Sequence, residues 1–296
     1  MTSNRPVRRL GWYISRPDGT VDVGLSDREL TGEVWDEFER LVGVMAEVRP
    51  FVVDYLSLQQ AYSHVSKIEL CVSSYLENKN HVFQIGGNDL LNIHVMAQPA
   101  LSNLLESASA LRSRFTTRIR ERHGPNSEQL RTIEKAISEC YDESFAYRLL
   151  YNLRNYGQHH DCPISAVAAD GLRQEAGGMK FNSLIVLNTK NLINSNRIQK
   201  RVIKELLQLP DTIHLTPLIK EYTSLHGRIM KCVIDSKIEQ LQEFEIYTKI
   251  VLSNNNTPED SVPVIWEENI LEPPSGHFHQ FSFDELIFLK MLYKET

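Results

Sequence analysis

Cysteine is sparse in this 296-residue sequence, and the four present (Cys71, Cys140, Cys162, Cys232) stand far apart with no Cys-x-x-Cys pair. That spacing argues against a zinc knuckle or a disulfide framework and fits a reducing, cytoplasmic setting. Long apolar runs are missing too. None approaches the roughly 20 residues that span a bilayer, so no membrane partner is expected. The opening stretch MTSNRPVRRLGWYIS carries charge but no apolar segment, and no signal peptide is expected. Positive charge is in deficit: 32 Lys and Arg against 38 Asp and Glu leave a net charge of -6. This excludes a protein that is basic all over, but not a local basic groove, because electrostatic footprints are local. The apolar fraction of 42% is that of an ordinary globular chain, long enough for one large domain or two smaller ones.

The pattern along the chain is mainly helical, with no internal repeat or low-complexity tract. Residues 1–80 read as a mixed region. Trp12–Ile14 and Val21–Val23 flank Pro17-Asp18-Gly19, a turn signal between two strands. A helix follows from Thr31, with Val34, Trp35, Phe38, Leu41 and Met45 on one face, and Arg49-Pro50 is expected to stop it. A second runs from Val53 to Tyr75, and strand-like His81–Ile85 meets Gly86-Gly87 as a boundary. Residues 81–253 form the helical core. Asn88 or Asp89 caps a helix, kinked at Pro99, that puts Leu101, Leu104, Leu105, Ala108, Leu111, Phe115 and Ile119 on one stripe. Gly124-Pro125 ends it. Residues 127–156 read as two helical pieces or one bent helix, closed by Gly157. Strands at Ile164–Ala169 and Phe181–Leu187 form a hairpin within 164–188. Helices return at Asn196–Leu209 and at Pro217–Leu252. Residues 254–296 read as a linker, the strand Val262–Trp266, and a last helix capped near Ser282 or Asp284.

Chemistry concentrates at RNYGQHHDC, residues 154–162. On an unbroken helix, positions five apart lie roughly 140° away from each other, so Arg154 and His159 converge only if the chain leaves the helix between them. Gly157 occupies that gap and permits such a turn. A permanent guanidinium beside an imidazole that titrates near neutrality suits phosphodiester chemistry: the arginine holds developing charge and the histidine moves a proton. RNA supplies its own 2′-hydroxyl as nucleophile, so no metal is required. The spacing alone is weak, because an Arg-x4-His match arises by chance roughly once in two or three chains of this size. A second match, Arg118 to His123, has no glycine before its histidine and reads as a decoy.

Other groups read more blandly. His159, His160, Asp161 and Cys162 are metal-ligand types, but adjacent residues seldom share one ion and no further ligands are evident; no metal is expected. His277-Phe278-His279 reads as a surface strand or loop. The arginines at 112–122 read by default as a solvated helix face. Arg114, Arg118 and Arg122 are the candidates there for RNA phosphate contact. Tyr151 and Tyr156 read as core before base-stacking platforms. Asn103, on the preceding helix, is a candidate polar neighbour of the motif.

The segment SFAYRLLYNLRNYGQHHDCPI resembles the signature helix and loop of HEPN-domain proteins, an all-helical superfamily of toxin–antitoxin, antiviral and RNA-processing systems. Catalytic members carry an arginine, usually a polar residue next, and a histidine four to six residues beyond the arginine. Arg154, Asn155 and His159 match that pattern, and His160 meets its looser spacing. The likeness covers about residues 88 to 250. Nothing comparable occurs in the first eighty residues or the last forty, and the β-hairpin after the motif is an addition. The resemblance implies an HEPN-like helical bundle; with the residue pattern, the expectation is a mainly α fold in which that bundle carries a β-hairpin insertion and small α/β decorations at both ends. The resemblance further implies a cytoplasmic, cofactor-free endoribonuclease that leaves a cyclic phosphate and a 5′-hydroxyl. It also implies a homodimer with two motifs facing one cleft, and an antitoxin or regulatory partner. Members that have lost activity serve as binding or scaffold modules, which is the alternative reading.

Overall fold

The first turn forms where the sequence places it. The Thr20 amide donates to Asp18 Oδ1 at 2.9 Å, and Gly19 takes a φ of +85°, a conformation open to glycine at little cost. In the computed structural model, residues 6–78, 87–159, 166–173, 179–195, 197–253, 258, 261–268, 276–280 and 286–291 are described. Their strands are β1 (Arg8–Ser15), β2 (Val21–Glu29), β3 (Ala166–Arg173), β4 (Met179–Asn188), β5 (Thr212–His214), β6 (Val262–Glu268) and β7 (Gly276–Gln280). The early helices are α1 (Gly32–Asn78), α2 (Gly87–His123), α3 (Glu128–Glu143) and α4 (Phe145–His159). Then come α5 (Thr189–Asn194), α6 (Lys200–Leu206), α7 (Leu215–Asp235), α8 (Ile238–Ser253) and a last helical stretch over 286–291. The chain is mainly helical with a few small antiparallel strands. No described helix is long and apolar enough to cross a membrane.

Contacts group the chain into two units, Met1–Pro50 with Ile234–Glu295, and Phe51–Val233. The sequence pattern places divisions near 80 and 253 instead. The difference lies in long-range strand pairing, which leaves no local signal. β6 pairs antiparallel with β1, Leu10 opposite Ile265, in a sheet ordered β2-β1-β6-β7. The first unit packs Leu10, Trp35, Phe38 and Ile265 into a core against that sheet. Its β7 carries His277, exposed as expected of a surface strand, but His279 is half-buried with its ring edge-on to Trp35, centroids 5.0 Å apart.

Pro50 does not stop the helix: α1 runs through it for 47 residues. A proline inside a helix costs about 3 kcal/mol. Leu41, Val44, Met45 and Val48 before it and Phe51, Val52, Tyr55 and Leu58 after it are all buried. Burying each such side chain contributes roughly 1.5–3 kcal/mol, so the continuous stripe outweighs the lost hydrogen bond. α2 likewise runs through Pro99 and starts at Gly87, ahead of the expected caps Asn88 and Asp89. The expected strand at 81–85, the 254–257 linker, and caps at Ser282 and Asp284 lie outside the described residues. The Pro217–Leu252 helix is two helices, broken at Ser236 and Lys237, where the Lys237 amide donates to Ile234 O at 2.9 Å.

The second unit places the motif helix at its centre. All seven residues of the expected α2 stripe are buried, and Gly124 ends that helix with a φ of +90°. Ser127 caps α3, and Ser144 separates α3 from α4, accepting from the Tyr147 amide at 3.0 Å. On α4, Ala146, Tyr147, Leu149, Leu150 and Leu153 are buried, and so are Arg148 and Asn152. A helix covered on most sides is a central one. The hairpin after the motif forms as β3 and β4, and β5 adds a third strand that sequence reading missed. Expected helix Asn196–Leu209 is shorter in the structure, Lys200–Leu206, with α5 ahead of it.

Candidate active site

The two arginines of α4 have different employment. Arg148 is buried, and its guanidinium forms two hydrogen bonds to Glu205, at 3.1 and 2.5 Å. It also donates to the carbonyls of Tyr141 and Asp142, at 2.6 and 2.8 Å. Arg154 is half-buried. Its Nε and Nη2 donate to the Glu106 carboxylate of α2 at 3.0–3.3 Å, and Nη1 donates to Asn155 Oδ1 at 3.3 Å. Glu106 and Asn155 thus orient the guanidinium from two sides. Glu106 is partly exposed, its side chain 44% accessible, so the pair is worth about 1 kcal/mol or less and a phosphate can compete for the arginine.

Sequence reasoning missed Glu106. A signal was there, since Glu106 is the lone acid between Asp89 and Glu121 on α2. Its partner lies 48 residues on, too far for any local pattern to disclose. Asn103, the expected polar neighbour, sits one helical turn before Glu106 and lines a cavity between α1 and α2.

Gly157 does not open the helix. α4 continues through it to His159, so the expected swing of the histidine back toward Arg154 within one chain is not made by a break at the glycine. Small penalty explains it: an exposed glycine in a helix interior costs only about 1 kcal/mol. Positions 154 and 159 then lie about 140° apart around the α4 axis. His160, Asp161 and Cys162 lie outside the described residues.

The arginine-rich face of α2 is a set of inter-helix ties. Arg114 and Arg118 both pair with Asp54 of α1, whose side chain is 4% exposed; the Arg114 contact is 2.6 Å. Arg112 lies over the Tyr151 ring at 4.4 Å, and Arg120 pairs with Glu134 at 3.4 Å. Arg122 and His123 are exposed at the helix end. The Arg118–His123 match therefore begins with an arginine bound to a buried carboxylate. Tyr156 is buried, as a core residue.

Behind α4, Tyr147 stacks on His226 of α7, ring centroids 5.3 Å apart, with Tyr222 edge-on to the same imidazole. His226 Nδ1–H donates to Tyr222 O at 2.8 Å, since a carbonyl can only accept. Burial drives the His226 pKa from 6.5 down to about 4 and pushes the Tyr147 phenol up to about 12. The folded chain resists a proton that the unfolded chain accepts between these two pH values. Stability from His226 is therefore full above pH 6.5 and lost progressively as pH falls toward 4. Unfolding free energies from urea titrations across that range should fall less steeply in His226→Phe, by up to about 1.4 kcal/mol per pH unit. Equal slopes in both proteins would mean that His226 takes up its proton without unfolding.

The apolar positions Leu218, Tyr222, Leu225, Ile229 and Val233 recur along α7, and all but the half-buried Leu218 are buried inside the chain, so this stripe leaves little surface for a second copy. No group of three or more His, Cys, Asp or Glu side chains that could hold a metal comes together among the described residues. Comparison of the chain with protein-family profiles, curated proteins and solved structures returned no match.

Proposed function

We propose that this protein is a metal-independent endoribonuclease of HEPN-like type, with Arg154 and His159 as its chemical pair and Asn155 as an auxiliary. The observation that carries the reading is the state of Arg154. It is a half-buried guanidinium at the end of the central helix, oriented by Glu106 and Asn155 and five positions before His159.

In the proposed reaction the 2′-hydroxyl attacks the adjacent phosphorus as the imidazole takes its proton. The bond from phosphorus to the 5′-oxygen breaks, and that oxygen leaves as a hydroxyl, the proton held by the imidazolium passing to it through solvent. A 2′,3′-cyclic phosphate remains. Arg154 stabilises the charge on the phosphoryl oxygens, and a preorganised donor there is worth about 10²- to 10³-fold.

Because α4 is continuous, the pair is proposed to assemble between two copies, Arg154 of one with His159 of the other, within the shared cleft that the resemblance implies. Arg114, Arg118 and Arg122 are proposed as outlying RNA contacts, and an antitoxin or regulatory partner in a cytoplasmic defence or stress role completes the reading. Product ends test it. Cleaved RNA should carry a cyclic phosphate and a 5′-hydroxyl, and 3′-hydroxyl with 5′-phosphate ends would remove this chemistry.

The Arg154–Glu106 pair favours one rival reading, an inert helical scaffold in which the ion pair merely ties α4 to α2. That protein would bind a partner and cleave nothing.

A further inference from the structure

A cavity of about 500 Å³ opens between α1 and α2, within the second unit. One wall presents Ser57, Gln60, His64 and Lys67 of α1, the other Asn103 and Ser107 of α2. Spacings of three and four residues put each set on one helical face. The wall is polar, and no carboxylate lines it among the described residues.

The surroundings extend the same electrostatic character. Asp54 lies one turn before Ser57, and its charge is outnumbered by Arg114 and Arg118, which both pair with it. On α2, Arg114 follows Ser107 by seven residues, roughly 10 Å along the helix on nearly the same face. Glu106, which holds Arg154, is adjacent to Ser107 and one turn past Asn103. Along the two helices the cavity has Lys67 toward one end and the Arg114–Asp54 pair toward the other, and its α2 wall belongs to the helix that carries Glu106.

We propose that this groove between α1 and α2 is a subsite for a nucleotide of a single-stranded RNA, away from the bond that is cut. Lys67 contacts a phosphate, with the His64 ring beside it on the same wall. Asn103, Gln60 and the two serines meet sugar hydroxyls and base edges. The volume lies within the range of sites for small organic ligands and admits one nucleotide. A wall with a cation and neutral donors, but no acid, discriminates against cationic and apolar ligands. The choice of RNA rests on the ribonuclease reading above.

The test is fluorescence anisotropy with a labelled hexauridylate, chelator present, in a His159→Ala background so that no cleavage intervenes. Lys67→Ala should weaken binding about tenfold and lower the slope of log K against log salt by about 0.7. Asn103→Ala should weaken it further, and Lys67→Arg should restore it. Lys67 and Asn103 are exposed, so the folded state survives these changes.

An unchanged affinity and salt slope in Lys67→Ala overturns the proposal. Adenosine monophosphate is the second probe. A strand subsite holds it much more weakly than the hexanucleotide, and equal affinity overturns the strand assignment in favour of a free-nucleotide site. Cleavage that persists with no dependence on Lys67 removes this inference alone. Binding that depends on Lys67 in a protein that never cleaves leaves it standing and removes the nuclease reading.

Discussion

His159→Ala is expected to lower RNA cleavage about 10²- to 10⁴-fold, the usual contribution of a positioned proton-transfer group, with the thermal melt unchanged. Arg154→Ala should fall in a similar range through lost charge stabilisation. It too should stay folded, because its ion pair with Glu106 is partly exposed and worth about 1 kcal/mol or less. Glu106→Gln tests positioning: kcat should fall several-fold while KM changes little, since Glu106 acts through the guanidinium and not on substrate. Mixing the Arg154→Ala and His159→Ala proteins is the sharper measurement. A site shared between two copies regains one intact Arg154–His159 pair per mixed dimer, so activity should return. If mixing restores nothing while each single variant is dead, the site does not form between copies. Should His160→Ala be dead and His159→Ala active, the pair has been assigned one residue early.

Arg148→Ala is expected to do the opposite. Six residues before Arg154 on the same helix, Arg148 is buried and satisfies Glu205 and two carbonyl oxygens. Removing one partner of a buried pair costs about 3–5 kcal/mol, because the other charge is left uncompensated. Glu205 is partly exposed, which places the expectation at the low end, about 3 kcal/mol. For a unit of this size that lowers Tm by roughly 6–12 °C. Circular dichroism melts of the two arginine variants make the comparison. An Arg148→Ala protein that melts like the parent would show that the network around it is not what holds α3, α4 and α6 together.

The same split between local and distant signals governs what the sequence discloses. The α2 stripe, the Gly124 stop, the turn at Asp18-Gly19 and the hairpin after the motif were legible, because each depends on residues within a few positions of one another. Pro50 misled because its cost is local while the gain that overrides it is spread over many buried side chains. Gly157 misled in the same direction. The break after Asp235 carries no glycine or proline to mark it. The pairing of β1 with β6 joins residues some 250 positions apart. The motif singles out Arg154 as a candidate, but its pairing with the carboxylate that binds it, 48 residues away, has no local signal. Nor has the pairing of Arg114 and Arg118 with Asp54, some sixty positions away. Removing both strands Asp54 in the interior, so a loss of RNA binding in that double variant has to be read against its stability.

The most direct measurement is incubation of the purified protein with end-labelled single-stranded RNA in excess chelator, His159→Ala serving as the control. Cleavage at the same rate with and without chelator, ending in 2′,3′-cyclic phosphates and absent from the His159→Ala protein, is the predicted result. Cleavage that stops with chelator, or that continues undiminished in His159→Ala, would contradict it.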